Sequence, residues 1–271
     1  MPGKSYSLQS EIVIVGAGLL GSSVAMHLAL LGFSNVSVVD LDLEGGYSSS
    51  ELNAGGVRAT WNHPVNAEIS KISIDYFKSI GSEIGFRQNG YFWMYPKSNW
   101  ILAKQRLSAN ENLKKLGLEF LSPDQVRSRY EFIDKTDDLG GATFSPFDGL
   151  LNANLLKMHY RDLAKQKGVR FVNRTWVYKV DAQQKPIRLS AWQWPAALSD
   201  DELKSTLTAD VDSKKPKNAE NVELRADLLV NCSGAWAQKF ARMMGTVCNS
   251  VAVRRQVSIF ECREVDLTDF G

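Results

Sequence analysis

The sequence predicts an α/β protein built on a parallel sheet. Three observations lead there. Residues 11–40 read strand, helix, strand. The turn between the first strand and the helix is Gly16-Ala17-Gly18-Leu19-Leu20-Gly21, a G-x-G-x-x-G string. An acidic residue, Asp40, ends the second strand.

The elements follow in order. Glu11 to Val15 is an apolar run rich in β-branched residues that stops at a glycine, as a buried strand does. From Leu19 to Leu31 the alternation ends. Ala25, Leu28 and Ala29 share a helical face, and Gly32 stops the helix. Val36 to Val39 is a second buried strand, parallel to the first because a helix joins them. A loop rich in Gly, Ser and Asn runs from Gly45 to Gly56. Ile69, Ile72, Tyr76 and Ile80 mark a helix face, and Tyr91 to Tyr95 is an aromatic strand after an Asn89-Gly90 turn. A polar helix is expected from Ser98 to Leu116. Ser122-Pro123-Asp124-Gln125 reads as a capped helix start. Leu155, Leu156, His159, Tyr160 and Leu163 mark another helix, and Val169 to Val172 and Val177 to Val180 two strands. From Gln183 to Asn221 the chain is polar and holds Pro186, Pro195, Pro216 and Ser213-Lys214-Lys215, which reads as a long surface excursion. Leu228 to Val230 resumes a strand, with a turn at Gly234 and a helix from Ala235.

The glycine string has a mechanical meaning in this setting. Gly16 permits the tight turn, Gly18 lets backbone approach a pyrophosphate, and Gly21 lets helix and strand pack closely. The helix start offers free N–H groups and a positive dipole end to phosphates. Asp40 lies about twenty residues beyond the string, where a carboxylate takes a ribose hydroxyl. That carboxylate suits FAD or NAD and repels the extra phosphate of NADP. The chain then enters the Ser48 to Arg58 loop instead of a simple second strand–helix–strand unit.

Bulk properties narrow the rest. The chain has 271 residues, 44% hydrophobic and 23% charged, which suits a globular protein of one large or two modest domains. A net charge of +2 gives no reason to expect a nucleic-acid partner. Cys232, Cys248 and Cys262 lie far apart, and three scattered histidines make no metal site. The first residues hold no apolar leader, and no run approaches the ~20 residues of a membrane helix, so a cytoplasmic protein is expected.

Beyond the fingerprint the sequence resembles the D-amino-acid oxidase, sarcosine oxidase and glycine oxidase superfamily. Gly16 through Ala25, Leu28, Ala29 and Gly32 fit its extended fingerprint. Ser49, Ser50, Asn53, Gly55, Gly56 and Arg58 fit its loop of small residues ending in Gly and Arg. Val230-Asn231-Cys232-Ser233-Gly234-Ala235-Trp236 fits its late strand and turn, and Arg255 to Phe260 a later strand. Leu121 to Gln125 and Ser145 to Gly149 are similar to a branch that includes a mitochondrial flavoprotein of complex I assembly.

That resemblance implies FAD as cofactor and a Rossmann-type FAD-binding domain, with a smaller antiparallel-sheet substrate domain that is incomplete here. The FAD domain is expected over 1–85, 150–182 and 222–245, the substrate part over 86–149 and 246–271, and a surface insertion over 183–221. The implied cofactor residues are Gly16, Ala17, Gly18, Leu19, Leu20, Gly21, Asp40, Leu41, Ser49, Ser50, Asn53, Gly55, Gly56 and Val57. Val177 is added near the adenine, and Ser233, Gly234 and Trp236 over the cofactor. Arg58 is placed near the flavin ring, where a cation stabilises the charge of the reduced form; its other reading is a surface salt bridge. The implied reaction oxidises the C–N bond of an amine or amino acid by hydride transfer to flavin. The alternative is a flavin-bound, non-catalytic assembly or scaffold protein, and an NAD-dependent dehydrogenase is disfavoured by the serine-rich loop. Members of the superfamily continue for roughly a hundred residues more, a small domain's length, so a partner chain or further segment is expected to complete the sheet. His63 is weighed as a covalent flavin attachment point and set below a structural role. Tyr91, Trp93 and Tyr95 form one face of their strand, either pocket lining or core.

Overall fold

The computed structural model describes residues 6–133, 135–209, 214–256 and 258. The first stretch runs β1 (Tyr6–Val15), α1 (Leu19–Leu30), β2 (Val36–Val39) and β3 (Gly56–Val57), then α2 (Pro64–Ser79), α3 (Gly81–Ile84) and β4 (Tyr91–Pro96). Next come α4 (Lys97–Ser108), α5 (Glu111–Lys115), β5 (Glu119–Leu121), α6 (Pro123–Arg129), β6 (Leu139–Ser145) and β7 (Gly149–Leu150). The chain continues through α7 (Ala153–Gln166), β8 (Arg170–Val172), β9 (Thr175–Asp181), β10 (Ile187–Gln193), α8 (Asp200–Thr208), β11 (Glu220–Asn231), a 3-10 turn (Gly234–Trp236) and α9 (Ala237–Met243).

These elements form two compact units. One runs to Asn53 and resumes from Leu156 to Gln256; the other takes Ala54–Leu155. The first holds a six-stranded sheet in the order β8-β2-β1-β11-β10-β9. Its β8, β2, β1 and β11 are parallel, and β10 pairs antiparallel with both β11 and β9. This is the mixed α/β sheet of a Rossmann-type nucleotide-binding fold. β1 and β11 carry the frame, paired from Tyr6↔Val222 to Val15↔Asn231. β1 begins before the expected Glu11 because Leu8 and Ser10 alternate inward with Ser7 and Gln9 facing out, a half-buried strand pattern.

The polar stretch expected as a surface excursion is corrected by the structure. Its residues Ile187–Gln193 are β10, an inner strand between β9 and β11. Leu189 and Ala191 are fully buried, and Trp192 and Trp194 close a cluster with Leu41 and Ala219. Trp192 stacks on Tyr178 with ring centroids 4.5 Å apart. The prolines that made the segment look like loop flank the strand instead of interrupting it. Ser199 then starts α8 with a full capping box.

The second unit holds an antiparallel sheet in the order β4-β6-β5 and the short pair β3-β7. The expected boundaries at 85 and 150 move to 53 and 155. The cause is packing: β3 pairs β7 through Gly56↔Leu150, and Ala67 of α2 is buried against Leu107 and Leu113. The polar helix expected from Ser98 to Leu116 divides at Asn110. That buried side chain caps α5 by accepting from the Asn112 N–H and donates to the Trp61 carbonyl at 2.9 Å. α6 starts with the expected Ser122 and Gln125 capping box. The strand expected from Arg255 to Phe260 falls largely outside the described residues.

Trp192→Ala is expected to destabilise the chain by about 3–5 kcal/mol, the range for emptying a large aromatic core site. Chemical denaturation measures this; a loss under about 0.5 kcal/mol, typical of surface positions, would return the segment to the surface.

Candidate functional site

The first unit builds its site at the turn from β1 into α1. The Gly16 N–H donates to the Val39 carbonyl and the Cys232 N–H to Val15, which pins the turn between β2 and β11. A Cβ on Gly16 would stand 2.2 Å from the Cys232 carbonyl oxygen, and one on Gly21 would stand 1.8 Å from the Gly16 oxygen. Both positions therefore exclude any side chain. Gly18 differs: a Cβ there would meet the Ser50 hydroxyl at 3.3 Å and nothing else within 4 Å. The Gly18 face is thus an open cradle at the start of a twelve-residue helix. The Leu19 N–H donates to Ser50 Oγ at 2.8 Å. The N–H groups of Gly18, Leu20 and Gly21 have no acceptor among the described residues. Free donors, a positive dipole end and an open cradle fit a dinucleotide pyrophosphate.

Asp40 sits beside this cradle. Its carboxylate accepts from the Ala17 N–H at 2.5 Å and the Asp42 N–H at 2.9 Å. Burial pushes its carboxyl above the ordinary Asp value, while the two N–H groups and the Arg161 guanidinium pull the other way. Each carboxylate oxygen keeps a further acceptor site. An anionic acceptor next to the phosphate cradle fits the adenosine ribose of FAD.

The structure brings Gly16, Ala17, Gly18, Leu19, Leu20, Gly21, Asp40, Ser50 and Ser233 into one neighbourhood. Ser233 follows the Cys232 carbonyl that faces Gly16, and its hydroxyl donates to Asn231 at 2.7 Å. Asn53 donates to the Ser49 and Ser50 carbonyls and fixes the loop's course. Leu41 is buried in the Trp192 and Trp194 cluster, so its side chain serves the core and only its backbone is left to a ligand. Val177 is likewise a buried core residue of β9. Gly234 opens the 3-10 turn, and the Trp236 indole N–H donates to the Leu207 carbonyl at 2.8 Å, which ties that ring to the end of α8.

Gly55, Gly56, Val57 and Arg58 belong to the second unit. Gly56 and Val57 pair with Leu150 and Gly149, and the Leu151 N–H donates to the Gly55 carbonyl. Arg58 makes no salt bridge among the described residues. Its guanidinium lies 4.7 Å from the Trp61 ring centroid and 4.9 Å from that of Trp93. Trp61 is itself fixed, its indole N–H donating to Ser70 at 2.9 Å and the Arg58 carbonyl at 3.1 Å. A cavity of about 500 Å³ is lined by Arg58, Thr60, Trp61, Trp93, Tyr95 and Arg106, among others. The aromatic face of β4 therefore lines a pocket at Trp93 and Tyr95, while Phe92 on the opposite face packs against the Leu121 and Val126 cluster. His63 caps α2 by accepting from the Val65 N–H at 3.3 Å, a structural task.

Three charged residues of these neighbourhoods were not singled out from sequence. Asp148 is fully buried and accepts from the Ala59 N–H at 2.7 Å and the Thr60 hydroxyl at 2.9 Å, anchoring the chain next to Arg58. Burial raises its carboxyl above the ordinary value, against the pull of those hydrogen bonds and of Arg58. Lys157 and Arg161 lie on the inner face of α7 at 2% and 7% exposure. Their i, i+4 spacing beside Leu156, Tyr160 and Ala164 is the sequence signal. Of the residues that marked this helix in sequence, Leu156 and Tyr160 are buried and Leu155 is exposed.

Comparison with known proteins bears on the family and the fold. The chain is 22% identical over 252 residues to FAD-dependent oxidoreductase domain-containing protein 1 of Xenopus laevis, covering 88% of this chain and 48% of that protein. It is 24% identical over 274 residues to mitochondrial sarcosine dehydrogenase of Mus musculus, covering 96% of this chain and 26% of that protein. The chain thus spans about half the length, or less, of these curated relatives. Among solved structures, L-proline dehydrogenase from P. horikoshii superposes with a TM-score of 0.66 at 20% identity, over 90% of this chain and 57% of that one. Among the described residues no helix is long and apolar enough to cross a membrane. The profile of the DAO family, described as FAD dependent oxidoreductase, matches residues 11–269, and the chain belongs to that family of FAD-dependent enzymes.

Proposed function

We propose that this chain is the FAD-binding part of an oxidoreductase that oxidises the C–N bond of a small amine or amino acid. The observation that carries the cofactor half is the open Gly18 cradle, with free N–H groups at the start of α1 and Asp40 beside it. The substrate half is supported by relatives named for sarcosine and L-proline, both secondary amines bearing a carboxylate. The family match favours this reading over a non-catalytic scaffold. The three cysteines, unpaired where described, suit a reducing compartment such as the cytoplasm.

FAD, when bound, supplies the acceptor for a hydride leaving the carbon next to nitrogen. The nitrogen lone pair forms the C=N bond, so the amine must be unprotonated, and water then hydrolyses the imine. The chain's own residues bind and orient. Gly18, Leu20 and Gly21 donate N–H groups to the pyrophosphate, Asp40 accepts from a ribose hydroxyl, and Ser49, Ser50 and Gly56 line the path toward the flavin. Val177 serves the adenine through its backbone, and Ser233, Gly234 and Trp236 cover the cofactor. Arg58 is the residue assigned to the chemistry. Held by two indoles and in no salt bridge among the described residues, though the Asp148 carboxylate feels its charge, it offers a fixed positive charge to negative charge that develops during the reaction.

Gly18→Ala is expected to weaken FAD binding at least tenfold and leave thermal stability near wild type. Gly21→Ala should unfold the turn and lose both. Flavin fluorescence titration with parallel melting curves separates them, and equal behaviour of the two variants would sink the assignment.

FAD affinity should fall as pH drops through an Asp40 pKa lying above the ordinary Asp value. The ionised carboxylate accepts the ribose hydroxyl, and its protonation removes that acceptor site. Asp40→Asn should flatten the profile; a variant that keeps the wild-type pH dependence would remove Asp40 from the site.

Anaerobic mixing of the FAD-loaded protein with sarcosine, proline and related amines should bleach the flavin absorbance. Arg58→Met should slow bleaching by about a hundredfold, the scale for losing one charge-stabilising group, with FAD affinity unchanged. Persistent colour with every amine would reject the C–N reading.

A further inference from the structure

We propose that Lys157 and Arg161, one turn apart on α7, are positioning residues for the dinucleotide site, holding the chain from Leu43 to Glu51 so that Ser50 meets the start of α1. The proposal rests on the reading of that site as the FAD site.

A helix packed against a sheet normally turns an apolar stripe inward. The inner face of α7 carries Leu156, Tyr160 and Ala164, and between them two cations. Burying a charge is costly unless it is paired and hydrogen-bonded; Lys157 is ion-paired, while Arg161 donates to backbone carbonyls and its Nε has no hydrogen-bond partner among the described residues. Lys157 Nζ forms an ion pair with the Glu51 carboxylate, at 2% and 15% side-chain exposure, and donates to the Glu44 carbonyl at 3.3 Å. Arg161 donates to the Leu43 carbonyl at 2.8 Å and reaches the Ala17 carbonyl at 3.5 Å. The guanidinium therefore touches both segments that make the site, the glycine turn and the loop after β2. It also faces the Asp40 carboxylate and favours its ionised form.

The loop has little apolar packing of its own. Asp42 accepts from the Glu44 and Gly46 N–H groups at 3.1 and 2.9 Å, and the Ser48 N–H donates to Gly45 at 2.8 Å. These bonds shape the loop internally and do not fix it to the frame. The α7 cations do, at Leu43, Glu44 and Glu51, alongside Asn173, whose Oδ1 accepts the Leu43 N–H at 3.0 Å, and Asp200, which accepts the Tyr47 hydroxyl. Next to the last of these anchors, Ser50 Oγ accepts the Leu19 N–H. A buried ion pair is often replaceable by apolar residues at no cost in stability. The contribution of this pair is then placement, which separates it from a purely structural role.

The test compares the full-length chain with Arg161→Met, Arg161→Lys and the double variant Lys157→Met/Glu51→Leu. Hydrogen–deuterium exchange is followed in peptides covering 15–20 and 43–51 and, as reference, in β9 to β11. FAD affinity is followed by flavin fluorescence from pH 5 to 8. The double variant should melt within a few degrees of wild type, exchange at least tenfold faster across Leu43 to Ser50, and bind FAD at least tenfold more weakly. Arg161→Met should do the same and shift the pH of FAD loss upward. Arg161 from α7 and Asp42 from its own loop are the charged groups that face Asp40, so only the repulsive one remains. Arg161→Lys should restore the pH profile but not the loop's protection, since both carbonyls accept from the terminal Nη2, one atom further along the side chain than a lysine ammonium reaches. Wild-type exchange in the loop, or faster exchange spread evenly over the reference strands, would overturn the proposal. A wild-type chain that binds no FAD would refute the FAD reading, and the exchange comparison would still decide the positioning.

Discussion

The first unit depends on one close approach. α1 can leave β1 at the angle it does only because Gly21 lies against the Gly16 carbonyl with no room for a Cβ, and Gly16 lies against the Cys232 carbonyl in the same way. Those contacts place the helix start over the ends of β1 and β11, with three N–H groups unclaimed among the described residues. A methyl group at either position would push the helix away and scatter the donors. The exposure of these donors is thus a packing property first, and the positive helix end an electrostatic one second.

Charge then decides how the turn is used. The loop after β2 has to cross the helix start without filling it, and it does so with one hydroxyl, Ser50 Oγ. Its course is set by buried polar contacts, not by a hydrophobic seal. Burying Asp40, Lys157, Glu51 and Arg161 close together is tolerable because each finds a partner of opposite charge or a backbone group. Low dielectric strengthens those contacts, and it also makes each of them expensive to lose.

The second unit uses the same economy with aromatic rings. Arg58 lies between Trp61 and Trp93, whose positions are set by Ser70, Asn110 and the sheet pairing of β4. Asp148 is buried within hydrogen-bonding reach of the two residues after Arg58 and fixes the backbone there. The cation is kept in place by ring faces and backbone anchors.

The sequence by itself determined the nucleotide-binding turn, Asp40, the β1–α1–β2 unit and the capped start of α6. Each is encoded by residues adjacent along the chain, in φ/ψ preferences, capping chemistry and hydrophobic period. Tertiary structure decided the rest. β10 looked like loop because its strand character comes from pairing with β9 and β11, distant in sequence, and from two tryptophans that bury each other's surroundings. The unit boundaries moved because β3 pairs with β7 across about ninety intervening residues, a contact local propensity does not encode. Lys157 and Arg161 are not legible as buried charges because the partners that make their burial tolerable, Glu51, Leu43 and Ala17, lie over a hundred residues away. Pairing of that kind is a property of the folded chain, since the desolvation of a charge is offset only where its partner arrives.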